Sequence, residues 1–249
     1  MITKKQIKFL KSLSQKKYRI QSQKFLVEGK RIVKELIQSN ALIDKIYVSE
    51  DFITKNADFI LFDSNISYEI ISNDVISKIK NTDSSQEVFA ISLIKNSLDL
   101  QIQTPILVLD NISDPGNLGT LLRSASWYGI NNVLVTSKSV DIYNPKVVRS
   151  AMGAHFHINN LHQLSEQKIR SFLNDESINI IAATLNGRSH KNFDPSNNWA
   201  LILGNEAHGV TESMLDIANE QVSISKSGNM ESLNVGVAGS VLIDRFSTK

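Results

Sequence analysis

Ile106-Leu107-Val108-Leu109 is apolar at every position. A strand with water on one face alternates apolar and polar, so an unbroken run marks a strand buried on both faces. The pattern then repeats. Asn132–Thr136, Ile178–Ala183, Trp199–Leu203 and Val222–Ile224 read as strands, separated by helical spacing at Leu118, Leu121, Leu122 and Ala125, by Asn144-Pro145 capping a helix through Met152, and by Thr211 capping one to Ala218. Alternating strands and helices imply an α/β domain with a parallel sheet covered on both faces. Ligands of such sheets bind outside the carboxyl ends of the strands. Four polar segments follow those ends: Asp110–Asn117, Thr184–Arg188, Gly204–Gly209 and Ser225–Asn234. The last is a long polar loop with Gly228 and Asn229 at its tip. It is followed by a helix of small and β-branched residues opening at Ser232-Leu233-Asn234. A loop of that kind costs backbone entropy and many hydrogen bonds, and its usual reason is a ligand.

The N-terminal part reads as a smaller α/β unit. Lys4–Arg19 spaces Ile7, Leu10 and Leu13, with Ile20, as a thin apolar stripe on a basic helix. Phe25-Leu-Val27 is a short apolar run, and Glu28-Gly29-Lys30 opens a helix carrying Ile32, Val33, Leu36 and Ile37. Strands are expected at Ile43–Val48, Ile66–Ile71 and Glu87–Leu93, with Asn73 capping a helix through Ile79. The segment 96–104 lacks periodicity and precedes Pro105, which makes it a linker between domains 1–95 and 105–249.

Charge divides the chain the same way. The whole carries 27 basic and 25 acidic residues, but residues 1–34 hold 11 of the basic ones against Glu28 alone. That basic arm suits phosphate contact, or is a solvated helix face. No cysteine is present, which excludes disulfides, thiolate metal sites and cysteine nucleophiles. No apolar run is long enough to span a bilayer and no signal-peptide core follows Met1, so no membrane association is expected and the cytoplasm is the default compartment.

Common signatures are missing. Gly116-Asn-Leu-Gly119 lacks the spacing of a dinucleotide fingerprint, and neither a phosphate-cradling loop nor a Gly-x-Ser-x-Gly elbow occurs. His155 and His157 alternate on an expected strand without a third ligand, so no metal site is assigned.

Three segments remain: Asn117-Leu-Gly-Thr-Leu-Leu-Arg123, Leu201-Ile-Leu-Gly204-Asn-Glu206-Ala-His-Gly209, and Ile224 followed by Ser232-Leu233-Asn234-Val-Gly-Val-Ala238. In this order and spacing they resemble the three motifs of the SpoU (TrmH-like) family of RNA ribose 2′-O-methyltransferases, in the SPOUT superfamily. Lys146–Ala154 is similar to the family's inter-motif stretch. Residues 4–94 resemble the L30e-like substrate-binding domain that precedes the catalytic domain in many members. The resemblance implies a deep trefoil knot at the C-terminus and a homodimer with the active site completed across the interface, for which Gly236, Gly239 and Ser240 offer a face. It also implies S-adenosyl-L-methionine, held by Thr184, Leu185, Gly187, Gly204, Ile224 and Leu233. The catalytic residues it implies are Asn117, Arg123, Glu206, Ser232 and Asn234. His208, where the family varies, is left out. Arg123 is proposed as the general base in the family, but a guanidinium is hard to deprotonate. Holding the RNA phosphate and stabilising a developing alkoxide suits it better. Ser225-Lys226 departs from the family's Pro-Met, and Gly236 stands where a Ser is common. The substrate implied is a structured RNA, 23S-type ribosomal RNA ahead of tRNA. A non-catalytic RNA-binding protein of the same fold is the alternative, and a dinucleotide dehydrogenase is disfavoured by the missing fingerprint.

Overall fold

The computed structural model describes residues 2–61, 66–81, 86–95, 103–174, 177–195 and 198–247. Residues 96–102 of the expected linker lie outside them. By its contacts the chain divides into two units, Met1–Asn96 with Tyr143–Phe156, and Ser97–Ile142 with His157–Lys249.

The first unit opens with α1 (Lys4–Ser12) and α2 (Lys16–Ser22), then β1 (Lys24–Glu28), α3 (Lys30–Gln38), β2 (Ile43–Val48), α4 (Glu50–Lys55), β3 (Tyr68–Ile70), α5 (Asn73–Ile79) and β4 (Val88–Leu93). The strands form a mixed sheet in the order β1-β4-β2-β3, with β4 antiparallel to both neighbours and β3 parallel to β2. Period-two alternation sorts the core. Phe25, Val27, Ile46, Val48, Val88 and Ala90 join Ile32, Val33 and Leu36 of α3. Leu26, Tyr47, Phe89 and Ile91 face the opposite way, onto Leu10, Leu13, Val75 and Ile79. Strands β1, β2 and β4 therefore bury side chains on both faces although the sheet is not parallel, while the edge strand β3 is largely exposed.

Several local expectations change here. The single basic helix is two, because Ser12 and Ser14 hydroxyls return to the carbonyls of Phe9 and Lys11 while the buried Arg19 guanidinium takes the carbonyl of Leu13 at 2.8 Å. Ile20 leaves the apolar stripe and is 57% exposed. The N-cap before α5 is Ser72 rather than Asn73, the third strand is only Tyr68–Ile70, and α4, capped by Ser49, carries no signal that the sequence reading used.

Tyr143–Phe156, expected within the second domain, belongs by its contacts to the first unit. It carries α7 (Pro145–Ala151), capped by Asn144, and most of α8 (Ala154–His157). Val148 and Phe156 enter the same apolar cluster as Phe25 and Ile32. His155 and His157 thus lie on a short helix, not a strand, and successive residues of a helix face about 100° apart. His155 is buried beside the rings of Phe25 and Tyr143, and His157 is exposed.

The second unit contains β5 (Ile106–Leu109), α6 (Pro115–Trp127), β6 (Asn132–Thr136), β7 (Asn160–Leu164), α9 (Glu166–Leu173), β8 (Asn179–Ser189), β9 (Trp199–Leu203), α10 (Glu212–Leu215), β10 (Glu220–Ser223) and α11 (Val235–Ser247). Its six strands run in the order β10-β8-β9-β5-β6-β7, and every neighbouring pair is parallel. Ile106, Val108, Leu134, Ala200 and Ile202 pack on α9 and α10 through Ile169, Leu173 and Met214. Leu203 and its alternating neighbours face the other way, where α6 and α11 lie.

Four boundaries differ from the sequence reading. Strand β8 continues through Thr184–Arg188, which is therefore strand and not loop. The last strand ends at Ser223, α10 stops at Leu215, and α11 begins at Val235 rather than Ser232. Strand β7 and helix α9 were not foreseen.

Because Phe156 fills the first unit's core, Phe156→Ala is expected to cost about 3–5 kcal/mol there. Amide exchange should accelerate in β1, β2 and β4 and stay slow in β5 and β6.

Candidate active site

At the centre of the parallel sheet the chain switches direction. From β5 it moves outward to β6 and β7, then crosses to β8 on the other side before filling the place beside β5 with β9. After β5 it enters α6 on one face, and after β9 it enters α10 on the other. Connections leaving neighbouring strands for opposite faces open a crevice at their carboxyl ends. The motif residues converge there.

Asp114 caps α6, its carboxylate accepting from the amide of Asn117 at 2.8 Å, with Pro115 at the first position. Asn117 is therefore held in the first turn, and its side chain is free to bridge. Its Nδ2 donates to Glu206 Oε1 at 2.8 Å, and its Oδ1 accepts from Asn234 Nδ2 at 2.9 Å. Asn234 in turn accepts from the amides of Gly236 and Val237, capping α11. Helix capping and the bridge to Asn117 both hold for Asn234. One residue from each of the three motifs thus joins a single hydrogen-bonded chain.

The other two expected catalytic residues stand outside it. Arg123 is exposed on α6 and makes no hydrogen bond or ion pair with the described residues; Ser232 is exposed in the loop before α11, likewise without a described partner. Arg123 lies six residues beyond Asn117, or 1⅔ helical turns, so it is about 9 Å farther along the axis and on another face. The structure therefore does not link it to Asn117, Glu206 or Asn234.

Of the residues expected to hold a cofactor, Thr184, Leu185 and Gly187 lie on β8, Gly204 and Ile224 directly follow β9 and β10, and Leu233 precedes α11. Gly187 is a close approach: a Cβ there would fall 2.6 Å from the backbone of Gln221 and Val222, and its carbonyl accepts the Ser223 hydroxyl at 2.7 Å. Thr184 donates to Gln221 Oε1. At Gly204 a Cβ would fall 2.1 Å from the amide nitrogen of Val210. Only glycine permits that fold-back of the loop against its own strand. Leu185 and Leu233 are 74% and 53% exposed, and Ile224 is half-buried at the end of β10. Exposed leucines among polar loops and open backbone amides suit an adenosyl group, whose base wants apolar walls and whose edges want hydrogen bonds.

Two residues that the sequence reading passed over organise these loops. Asp110, at the end of β5 and only 2% exposed, accepts from both the amide and the hydroxyl of Thr211, which ties the start of α10 to β5. The sequence signal was an aspartate directly after an apolar strand, at the head of a turn-rich segment; its burial and its bond to Thr211 are decided by the fold. Asn205 links the β9 loop to the β5 loop through Asn111 and Ser113. Its neighbours Gly204 and Glu206 drew attention from it.

Helix α11 lies along α6. A Cβ on Gly239 would fall 2.3 Å from Leu121 and 2.5 Å from Leu203, Ser240 and Ser124 hydroxyls meet at 2.7 Å, and Tyr128 donates to Asp244 at 2.6 Å. That bond to the carboxylate raises the Tyr128 pKa. The small residues expected to receive a second subunit are therefore used within the chain.

Comparison with known proteins agrees with the geometry. The profile of the SpoU rRNA Methylase family matches residues 104–244. This chain belongs to that family. Residues 4–90 match the MRM3-like substrate binding domain. Over 241 residues the chain is 30% identical to the 23S rRNA (guanosine(2553)-2′-O)-methyltransferase RlmP of Bacillus subtilis, covering 95% of this chain and 94% of the relative. A solved RNA 2′-O ribose methyltransferase superposes with a TM-score of 0.82 at 27% identity, covering 98% of this chain and 95% of its own. The SpoU methyltransferase AviRb of Streptomyces viridochromogenes, solved with AdoMet, shares the fold with a TM-score of 0.86 at 21% identity over 98% and 97% of the two chains.

Gly204→Ala should force the Gly209–Val210 backbone out of place, costing about 2–3 kcal/mol in denaturant melts. Gly209→Ala, where a Cβ meets nothing but φ is +72°, should cost less, about 1 kcal/mol.

Proposed function

We propose that this protein transfers a methyl group to a ribose 2′-hydroxyl of 23S-type ribosomal RNA, using S-adenosyl-L-methionine. The observation that carries the reading is the chain Glu206–Asn117–Asn234, which draws the three family motifs to the switch point of the sheet. The near-full-length likeness to the Bacillus subtilis 23S rRNA enzyme favours ribosomal RNA over tRNA. It also favours the cytoplasm; among the described residues no helix is long and apolar enough to cross a membrane.

Thr184, Leu185, Gly187, Gly204, Ile224 and Leu233 would hold the cofactor, through backbone amides and apolar walls. When bound, S-adenosyl-L-methionine supplies an electrophilic methyl on a sulfonium. The protein's part is to align the 2′-oxygen, stabilise its developing charge and give its proton somewhere to go. Arg123 suits the first two tasks, since its guanidinium is exposed and its five donors are uncommitted among the described residues. Its planar fork of donors clamps the adjoining RNA phosphate and stabilises the alkoxide, while that phosphate accepts the proton. Glu206 and Asn234 hold the Asn117 amide in one orientation beside the site. Ser232, exposed before α11, is placed to contact RNA.

The homodimer rests on a different observation from the one first expected. Trp127, Val237 and Val241 are 82%, 51% and 37% exposed on α6 and α11, on either side of the Ser124–Ser240 seam. An exposed tryptophan beside two exposed valines is apolar surface that a second copy would cover, with Arg123 one turn before Trp127. The knot rests on the path of the chain. After β10 at the sheet edge, the chain returns to lay α11 on α6 and against Leu203 of β9.

The basic arm is read as an RNA contact. Lys4, Lys5, Lys8, Lys11, Lys16 and Lys17 are all exposed, and none pairs with an acid among the described residues. Lys4 and Lys5 sit in the first turn of α1, where the helix dipole disfavours cations by a few tenths of a kcal/mol. Their placement opposes helix stability and serves phosphate binding.

Arg123→Ala is expected to lower methyl transfer to 23S rRNA by about 10²-fold or more, with S-adenosylhomocysteine binding unchanged by calorimetry. Undiminished transfer would remove Arg123 from the mechanism. Replacing Lys4, Lys5 and Lys8 by Gln should weaken RNA binding and flatten its log–log salt dependence by about 2–3. An unaltered slope would return the arm to a solvated helix face.

A further inference from the structure

Asn205 is held at every polar atom. Its backbone amide and carbonyl both pair with Gly209 at 2.9 Å, closing the tight loop after β9. Its side-chain Oδ1 accepts from the amides of Ala207 and His208, at 2.9 and 3.2 Å, which bends the loop from within. Its Nδ2 points out of the loop and donates to the Asn111 carbonyl and the Ser113 hydroxyl, both at 2.9 Å.

These two acceptors belong to the segment that leads into α6. Asn111 has φ +58°, a left-handed conformation that costs energy for any residue but glycine and least for asparagine or aspartate. Its amide is fixed by the Thr136 hydroxyl at 2.8 Å and its carbonyl by Asn205, so the strained residue is clamped on both sides. Ser113 directly precedes Asp114, the cap of α6, and Asn117 lies in the first turn beyond. Glu206, next to Asn205, bonds to that same Asn117.

We propose that Asn205 is a positioning residue that sets the cofactor loop against the RNA-side helix, and that the two halves of its amide do separate work. The carbonyl half shapes the Gly204–Gly209 loop and so supports cofactor binding. The NH2 half fixes the register of that loop to the start of α6 and so supports the alignment of Asn117 and Glu206 for turnover. Asparagine is suited to this because one short planar group offers two donors and two acceptor sites. Aspartate keeps the acceptors and loses the donors, and alanine loses both. The assignment rests on the methyltransferase reading above.

The test compares Asn205→Asp, Asn205→Ala and Ser113→Ala in the full-length protein. Each is assayed for S-adenosylhomocysteine binding by calorimetry and for methyl transfer to 23S rRNA under saturating cofactor. Asn205→Asp should keep the cofactor Kd within about threefold while kcat falls about tenfold or more, as expected for a misalignment of roughly 1 Å. Asn205→Ala should lose both, with Kd raised about tenfold or more, since the loop amides are left unpaired. Ser113→Ala removes one of the two outer acceptors, and should lower kcat about threefold with Kd unchanged. A cofactor Kd raised equally in the Asp and Ala variants overturns the proposal, as does a wild-type kcat in Asn205→Asp. If Asn205→Asp does not fold, Ser113→Ala decides: lowered kcat at constant Kd supports the assignment, and wild-type kcat overturns it. A wild-type protein that binds the cofactor but transfers no methyl group would count against the substrate reading. The cofactor-binding difference between the Asp and Ala variants would still report on the Asn205 carbonyl half.

Discussion

Every strand pair in the six-stranded sheet is parallel, and the rest of the second unit depends on that constraint. Parallel strands cannot be joined by tight turns, so each connection must cross a face of the sheet. The crossings bury both faces and bring all six carboxyl ends to one edge. The apolar residues that make the strands stable therefore also decide where the polar loops collect. At the junction of β5 and β9, where the connections part to opposite faces, those loops have room between them.

Hydrogen bonds then turn separate loops into one site. The end of β8 is joined to β10 through Gly187 and Ser223, and the loop before α11 to α6 through Asn234 and Asn117. Helix α6 is joined to the β9 loop through Asn117 and Glu206, and that loop to β5 through Asn205 and Asp110. Since β8 and β9 are themselves neighbours, the circuit closes. Each link is worth about 1 kcal/mol net, so the circuit adds less to stability than the apolar core does. Its contribution is geometric: it restricts the side chains that would meet substrate to one arrangement before binding, which is where a transfer enzyme gains most.

The sequence was most legible where burial is strongest. Strands β5, β6 and β9 were read at their observed limits because each carries an unbroken buried apolar run, which in β6 is bounded by the buried polar residues Asn132 and Thr136. The three motifs were equally legible, and the structure joins Asn117, Glu206 and Asn234 directly. Reading failed where side chains outcompete periodicity. Lys4–Arg19 has the spacing of one helix, yet the hydroxyls of Ser12 and Ser14 and the buried Arg19 break it. His155 and His157 have strand alternation, yet they follow Gly153 at φ +101° and lie in a helical turn. Thr184–Arg188 has loop composition, yet it is held as part of the strand by pairing with β10 at its two ends, Ile181–Ala182 before it and Arg188–Ser189 at its close, across a register shift at Gln221/Val222.

By itself the sequence determined the parallel sheet, the two-part organisation with its basic arm, the family and the motif residues. Apolar runs, charge and motif order are local properties of a chain. Only the tertiary structure decided that Tyr143–Phe156 packs with the first unit, that Gly239 and Ser240 meet α6 of the same chain, and that Asn205 and Asp110 tie the loops together. Each of those outcomes depends on which distant surface a residue meets, about a hundred positions away for Asn205 and for Asp110. No window of sequence contains both partners of such a contact.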